Sequence, residues 1–196
     1  MQTNIILAGV GGQGILTIAA VIDLAALQSG LIVRQAEVHG MSQRGGAVQS
    51  HLRISDREIY SDLIAEGTAN LILSVEPLEA LRYLPFLSTT GRIVTSTDSF
   101  INMENYPAME EILLELHRTN LPVLVNAAEL ARKAGSPRTS NMVMLGAAAS
   151  LTGIAPEEIE TAIEKLFRAK GAEIVAMNIR AFRTGEALFQ HQATVS

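Results

Sequence analysis

The feature that most constrains the fold is a glycine turn, Gly9-x-Gly11-x-x-Gly14, between two apolar segments of different character. Residues 4–8 form a short run rich in Ile and Leu, which predicts a buried strand. Residues 14–27 form a longer, Ala-rich run, which predicts a helix packed closely against a sheet. A second apolar strand is predicted after that helix, so the chain opens as strand, glycine turn, helix and strand.

This context allows two interpretations of the turn, which also contains Gly12 and Gln13. Glycines between a strand and a helix let an anion approach the backbone, and the helix N-terminus supplies free N–H groups. Glu37 ends the second predicted strand, near the position of a ribose-binding acid, so a stand-alone NAD(P)-binding oxidoreductase or sensor is one hypothesis. The other is that the glycines serve only tight packing between strand and helix.

A second glycine-bearing segment follows that strand and ends in Gly45 and Gly46. It contains His39, Gln43 and Arg44, which together offer a titratable group, an amide and a fixed cation to an anionic ligand. The paired glycines indicate a close backbone approach, which favours a functional loop. The alternative is a surface turn in which Arg44 makes a local salt bridge.

The rest of the chain predicts an α/β fold. Residues 48–55 alternate between apolar and polar, which predicts a half-exposed strand with His51 on its exposed face, and Ile59–Tyr60 is predicted to pair back on it as a hairpin. Strands and helices then alternate, and only helices are predicted after residue 127. We therefore expect a Rossmann-like three-layer α/β/α fold with a mixed sheet, mostly parallel with one antiparallel hairpin, and a helical C-terminal section. Residues 1–190 are predicted to form one domain, with residues 191–196 as a frayed tail.

Charge and composition exclude several classes of function. The net charge is −5, which gives no basic surface for nucleic acid. The longest apolar stretches, residues 15–27 and 142–154, are too short for a membrane span, and the N-terminal residues lack the basic region of a secretory signal, so we expect a cytoplasmic protein. The absence of cysteine excludes a catalytic thiol and any iron–sulfur cluster held by thiolates of this chain.

No complete catalytic set is present in the sequence. Neither Gly-x-Ser-x-Gly nor a P-loop ending in Lys-Ser or Lys-Thr occurs. His39 and His51 lack the spacing and the partner ligands of a metal site, so no metal is expected. The chain therefore carries residues suited to binding without a nucleophile or acid–base pair.

Taken together, the two glycine segments resemble a known family. The segment Gly9-Val-Gly-Gly-Gln-Gly-Ile-Leu-Thr17, the segment His39-Gly-Met-Ser-Gln-Arg-Gly-Gly46 and residues 141–146 (Asn-Met-Val-Met-Leu-Gly) are similar to the small subunit of the 2-oxoacid:ferredoxin oxidoreductases. The second segment resembles in particular the beta subunit of indolepyruvate ferredoxin oxidoreductase. The related gamma-type domain of the pyruvate and ketoisovalerate enzymes usually differs in this loop.

The resemblance implies an accessory subunit of a multi-subunit enzyme that oxidatively decarboxylates a 2-oxoacid, such as indolepyruvate or another arylpyruvate, to an acyl-CoA. It places thiamine diphosphate and the iron–sulfur clusters in larger partner subunits, with ferredoxin as electron acceptor, and makes coenzyme A a candidate ligand of this chain. The isolated chain, which is not catalytically complete, is a candidate homodimer. The residues expected to face the ligand are Gly9, Gly11, Gly12, Gln13, Gly14, His39, Gln43, Arg44, Gly45 and Gly46.

Overall fold

The structure, a computed structural model, describes residues 1–39 and 45–195. Within these residues the chain forms six strands and seven α-helices. In chain order they are β1 (Gln2–Val10), α1 (Ile15–Gln28), β2 (Ile32–His39), β3 (Ala47–Ser55), β4 (Ala69–Ser74), α2 (Pro77–Arg82), β5 (Leu87–Ser96), α3 (Met109–His117), β6 (Val123–Val125), α4 (Ala127–Lys133), α5 (Ser140–Ala148), α6 (Pro156–Phe167) and α7 (Ala172–Val195).

The strands form one mixed sheet in the order β2-β3-β1-β4-β5-β6. Strands β1, β4, β5 and β6 pair in parallel, whereas β3 runs antiparallel to both of its neighbours, β1 and β2. The predicted mixed sheet with an antiparallel hairpin is therefore confirmed, and the hairpin is β2–β3.

The partner predicted for β3 is wrong. Ile59 and Tyr60 lie outside any strand, and both edges of β3 are occupied instead, with Leu52 opposite Ile5 on one side and opposite Gln35 on the other. The segment after β3 folds back over a face of the strand instead of pairing with its edge. Here the carboxylate of Asp56 accepts a hydrogen bond from the terminal ammonium of Met1 at 2.5 Å.

Helices cover both faces of the sheet, which confirms the three-layer architecture. Helices α1, α4, α5, α6 and α7 pack on one face in a large apolar cluster, and α2 and α3 pack on the other face in a smaller one. Alternate residues of β1 enter the two clusters, since Ile5 and Leu7 belong to the first and Ile6 and Ala8 to the second. No helix in the described residues is both long and apolar enough to cross a membrane.

The helical C-terminal section is built around α5. Residues 142–148 are all buried, as expected for a helix that is apolar all round. Helix α7 crosses α5 at Gly146 and Gly185, where a Cβ on either glycine would lie 1.9 Å from a backbone carbonyl oxygen of the other helix. The two helix backbones are therefore in direct contact.

Candidate functional site

The predicted glycine turn lies at the carboxyl end of β1, where the connections of the sheet diverge. The chain leaves β1 through α1 toward β2 on one side, and leaves β4 through α2 toward β5 on the other. Ligands of open α/β sheets bind in the crevice at such a switch point. The topology thus places the turn where a small ligand would be held.

The first part of the turn is shaped by close packing. A Cβ on Gly9 would lie 2.4 Å from Val75 Cγ2, because the turn packs directly against the residue that follows β4. The side-chain carbonyl oxygen of Gln13 accepts a hydrogen bond from the Val10 N–H at 2.8 Å and closes the turn on itself. Packing therefore explains Gly9, and Gln13 has a structural role within the turn.

The second part of the turn leaves the start of α1 accessible. Gly14 is the N-cap residue, with a left-handed backbone (φ 84°), and a Cβ there would lie 2.6 Å from Asn141 Nδ2. No side chain caps α1 and its first turn contains no acidic residue, so the positive end of the helix dipole is not neutralised locally. A Cβ on Gly12 would meet nothing within 4 Å. This face of the turn is suited to an anion.

The described end of the second glycine segment, Gly45–Gly46, lies directly beside the turn. The Gly11 N–H donates to the Gly46 carbonyl at 2.9 Å, and the Gly45 N–H approaches the Gly11 carbonyl at 3.5 Å. His39 ends β2 with its backbone paired opposite Val48. The structure thus brings the Gly45–Gly46 end of the second segment to the glycine turn. Of the predicted residues, Gln43 and Arg44 lie outside the described part of the chain, as does the side chain of His39.

A cleft with a volume of about 530 Å³ opens beside the turn. Four parts of the chain line it: the glycine turn with the start of α1, the segment before α5, the end of α6, and α7. The lining residues are Gly12, Gln13, Gly14, Thr17, Ser136, Arg138, Thr139, Asn141, Phe167, Lys170, Ile174, Met177 and Asn178. The volume is in the range of small-molecule and cofactor sites.

Two cations give the cleft its electrostatic character. Arg138 and Lys170 both line it, and no Asp or Glu does. Neither cation makes an ion pair within the described residues, and the Lys170 ammonium stands 5.1 Å from the centre of the Phe167 ring. Two unpaired cations beside an uncapped helix N-terminus favour a ligand with several negative charges, such as a phosphate ester.

An apolar groove of about 310 Å³ adjoins this cleft and shares Thr17, Phe167 and Lys170 with it. Its other lining residues are Leu16, Ala20 and Leu166, on α1 and α6, and the two leucines are partly exposed. Cleft and groove together therefore suit a molecule with a charged part and an uncharged arm.

Glu37 does not occupy the position expected of a ribose-binding acid. In a Rossmann sheet the second strand adjoins the first, but here β3 lies between β1 and β2. Because neighbouring strands are about 4.8 Å apart, this moves Glu37 roughly 10 Å from the axis of β1. Its carboxylate accepts a hydrogen bond from Gln35 Nε2 at 2.6 Å. The interpretation of the glycine turn as a dinucleotide site therefore lacks the acidic residue that would bind the ribose.

The expectation that His51 is exposed is wrong. The residue is 4% exposed, packs edge-on against Phe86 at 5.2 Å between ring centroids, and accepts a hydrogen bond from the Ile64 N–H at its Nδ1 atom, 3.1 Å away. Burial lowers the pKa of His51, consistent with a neutral ring that accepts this bond. The segment after β3, which folds back over the strand, covers the face that alternation alone indicated to be polar.

Among the described residues no group of three His, Asp or Glu side chains is placed to hold a metal ion.

Arg138 and Lys170 were not predicted from the sequence. Lys170 has a weak signal, because lysine occurs only at Lys133, Lys165 and Lys170 among 15 basic residues. Arg138 stands in a short turn, Pro137–Thr139, that carries no motif. Arg138 precedes α5 and Lys170 follows α6, and both reach the site because these two helices pack next to α1.

Comparison with known proteins identifies the family. The model of the family described as "Pyruvate ferredoxin/flavodoxin oxidoreductase" matches residues 4–188. The chain belongs to this family. It is 39% identical over 194 residues to the indolepyruvate oxidoreductase subunit IorB of Archaeoglobus fulgidus, covering 94% of each protein. It is 40% identical over 192 residues to the subunit of the same name from Methanothermobacter thermautotrophicus, covering 94% of this chain and 96% of that protein.

Solved structures show the same fold. The gamma subunit of a keto/oxoacid ferredoxin oxidoreductase from Geobacter sulfurreducens has a TM-score of 0.70 and 24% identity, with 99% of each chain covered. A 2-oxoglutarate:ferredoxin oxidoreductase from Magnetococcus marinus, solved with 2-oxoglutarate, coenzyme A and succinyl-CoA bound, has a TM-score of 0.78 and 23% identity. The match covers 97% of this chain and 31% of that one, so the fold of this chain occurs there within a longer polypeptide. These comparisons do not support a stand-alone NAD(P)-binding protein.

Proposed function

We propose that this chain is the small, accessory subunit of a 2-oxoacid:ferredoxin oxidoreductase that acts on indolepyruvate or a related arylpyruvate. The observation that carries the proposal is the match, over 94% of both chains, to proteins named as indolepyruvate oxidoreductase subunits. Relatives named for 2-oxoglutarate are less similar, at 30% identity for the subunit KorC of Methanothermobacter marburgensis. The difference supports an aryl substrate for the complex.

In this proposal the redox chemistry belongs to larger partner subunits. The complex removes CO2 from the 2-oxoacid and transfers the acyl group to coenzyme A, while two electrons pass to ferredoxin. This chain has no cysteine, so cysteine-ligated iron–sulfur clusters come from a partner chain, and thiamine diphosphate is expected there as well. The role of this subunit is to complete the binding site and to hold a substrate.

The substrate that fits the cleft is coenzyme A. Its phosphates match Arg138, Lys170 and the uncapped start of α1, and its uncharged pantetheine arm matches the groove lined by Leu16 and Leu166. The glycine turn, with Gly11, Gly12 and Gly14, gives the backbone access that a phosphate requires. The proposal also places the segment of residues 39–46 beside the ligand. This segment begins at His39 and contains Gln43, Arg44, Gly45 and Gly46.

Co-expression with a thiamine-diphosphate-binding partner chain tests the subunit assignment. We expect a stable complex that reduces an artificial electron acceptor in the presence of indolepyruvate and coenzyme A, and that does so more slowly with pyruvate or 2-oxoglutarate. A complex that prefers 2-oxoglutarate would contradict the substrate assignment. Failure of the two chains to co-purify would contradict the subunit role.

The two cations of the cleft provide a specific test of coenzyme A binding. Replacement of Arg138 or Lys170 by Gln removes a charge-assisted contact, which we expect to raise the KM for coenzyme A about tenfold without changing the KM for the oxoacid. Lys165→Gln is the matched control, because Lys165 is exposed near the end of α6, shortly before Lys170, but does not line the cleft. An unchanged KM for coenzyme A in both cleft variants would refute the site.

A thermal-shift titration separates the alternatives on the isolated chain. Stabilisation by coenzyme A, with none by NAD(H), is expected, because a ligand that binds only the folded chain raises Tm. Stabilisation by NAD(H) alone would favour the dinucleotide hypothesis. The proposal also includes a cytoplasmic location for the complex, which cell fractionation with an antibody tests.

A further inference from the structure

Residues 98–106 form a loop between β5 and α3. Hydrogen bonds attach both ends of this loop to the rest of the protein, and we call it the anchored loop. At its start, Asp98 Oδ2 accepts hydrogen bonds from Ser96 Oγ and from the Ala128 N–H, each at 2.8 Å. At its end, the Tyr106 hydroxyl donates to the carboxylate of Glu76. The middle of the loop is exposed, with Ile101 72% exposed.

Glu76 is the buried group to which this loop is attached. It lies two residues after the end of β4, caps α2, and is 1% exposed. One carboxylate oxygen, Oε2, accepts the Glu79 N–H at 2.8 Å. The other, Oε1, accepts both the Tyr106 hydroxyl and the Phe100 N–H, the latter at 3.3 Å. Burial and hydrogen bonding to this carboxylate both raise the pKa of Tyr106, so the phenol stays a donor.

The hydrogen-bond donors to the Glu76 carboxylate are neutral groups, two backbone N–H groups and the Tyr106 hydroxyl. The neighbouring cation, Arg82, pairs bidentately with Glu79, at 2.9 and 3.2 Å. A buried carboxylate is stable only while its hydrogen-bond donors remain in place. Glu76 therefore fixes the positions of Phe100 and Tyr106 near the carboxyl end of β4.

The anchored loop in turn contacts the glycine segments. Asn102 Nδ2 donates to the Gly45 carbonyl at 2.6 Å. Gly45 and Gly46 then exchange backbone hydrogen bonds with Gly11 in the glycine turn. A continuous chain of contacts thus runs from Glu76, through the anchored loop, to the turn beside the cleft.

We propose that Glu76 is a positioning residue for the substrate site, acting through Tyr106 and Asn102 to hold the Gly45–Gly46 segment against Gly11. Among the residues that the structure describes, the Glu76 carboxylate does not belong to the lining of the cleft. Its effect is on the geometry of the glycine turn, where the backbone N–H groups must be held in place before a phosphate can bind. The part of this inference that concerns substrate rests on the proposed function.

Amide hydrogen exchange on the full isolated chain tests the positioning independently of any reaction. The Gly11 amide is expected to exchange about tenfold faster in Asn102→Ala and in Tyr106→Phe, the effect of losing one hydrogen bond in the chain of contacts. Asn105→Ala is the matched control, since Asn105 is exposed on the same loop and its side chain makes no hydrogen bond within the described residues. Unchanged exchange at Gly11 in Asn102→Ala would overturn the proposal. Glu76→Gln should also speed exchange at the Gly11 amide. If this variant does not fold, Asn102→Ala and Tyr106→Phe still test the proposal.

Kinetic measurements on the reconstituted complex provide a second test of the positioning role. Asn102→Ala and Tyr106→Phe are expected to raise the KM for coenzyme A severalfold while kcat is kept, and the double variant should show no more than the larger single effect, because both act through one path. Independent, additive effects would overturn the common path. If the complex shows no dependence on coenzyme A but Gly11 exchange responds as expected, the proposed function fails and the positioning role stands.

Discussion

Replacement of Gly185 by Ala tests the direct contact between α5 and α7. A Cβ at this position would lie 1.9 Å from the Val143 carbonyl oxygen, 2.9 Å from its carbonyl carbon and 2.8 Å from the Ala147 N. Cβ atoms essentially never approach other heavy atoms closer than 3.0 Å, so the two helices must move apart by about 1 Å. The atoms they meet are backbone atoms of a fully buried helix, which cannot rotate aside.

Two effects of opposite sign compete in this variant. Helix propensity favours Ala over Gly by about 1 kcal/mol in a helix interior. Overpacking of a core costs about 1–3 kcal/mol, and a clash with backbone belongs at the upper end of that range. The clash therefore outweighs propensity, and we expect a net loss of about 2 kcal/mol, or about 4–8 °C in Tm for a chain of this length.

Urea unfolding and calorimetry of the isolated chain measure the effect. Thr184→Ala is the matched control on the same helix: it removes atoms at a half-buried position and should change the free energy of unfolding by no more than about 0.5 kcal/mol. Gly146→Ala should behave like Gly185→Ala, and the double variant should cost less than the two together, because one separation of the helices relieves both clashes. A higher Tm in Gly185→Ala would refute the contact, since propensity alone would then explain the result.

Two further predictions concern charged groups. Asp23 on α1 has a buried Oδ1 atom without a hydrogen-bond partner among the described residues, and burial, with a smaller contribution from Glu37, raises its pKa from 3.8 to about 6. Stability from this group is therefore full below pH 3.8 and is lost as the pH rises through 6, so Asp23→Asn should stabilise the chain at pH 8 and show little difference near pH 4 in urea unfolding. Destabilisation at pH 8 would mean that the carboxylate has a favourable contact. Arg44→Ala should raise the KM of the reconstituted complex for coenzyme A or the oxoacid, whereas the surface control Arg57→Ala should not, and equal kinetics in the two variants would contradict a role for Arg44.

Local sequence patterns were sufficient for the elements around the glycine turn. The apolar run of β1, the glycines and the Ala-rich run of α1 each specify a backbone conformation over a few residues, so they could be predicted without knowledge of distant contacts. Met142 and Met144 are fully buried, in agreement with an apolar run that has no polar face. The resemblance of the two glycine segments to the small-subunit family likewise rested on the sequence alone, and the family match confirmed it.

Sheet pairing was decided by tertiary structure. Proximity in sequence favoured Ile59–Tyr60 as the partner of β3, but β1 and β2 offer nine and eight residues of pairing and occupy both hydrogen-bonding edges of the strand. The same arrangement buries His51 under the segment that follows β3 and moves Glu37 away from the turn. Periodicity shows which face of a strand is apolar, but it contains no information about which distant segment covers the other face.

The sequence by itself determined the turn, the helix that follows it and the family to which the chain belongs. Only the tertiary structure brought Arg138 and Lys170 to that turn and connected Glu76 to it through the anchored loop. The physical reason is that backbone conformation depends on neighbouring residues, whereas the meeting of side chains more than a hundred residues apart depends on how apolar surfaces are buried. Here Arg138 lies just before α5 and Lys170 just after α6, and both helices share one apolar cluster with α1.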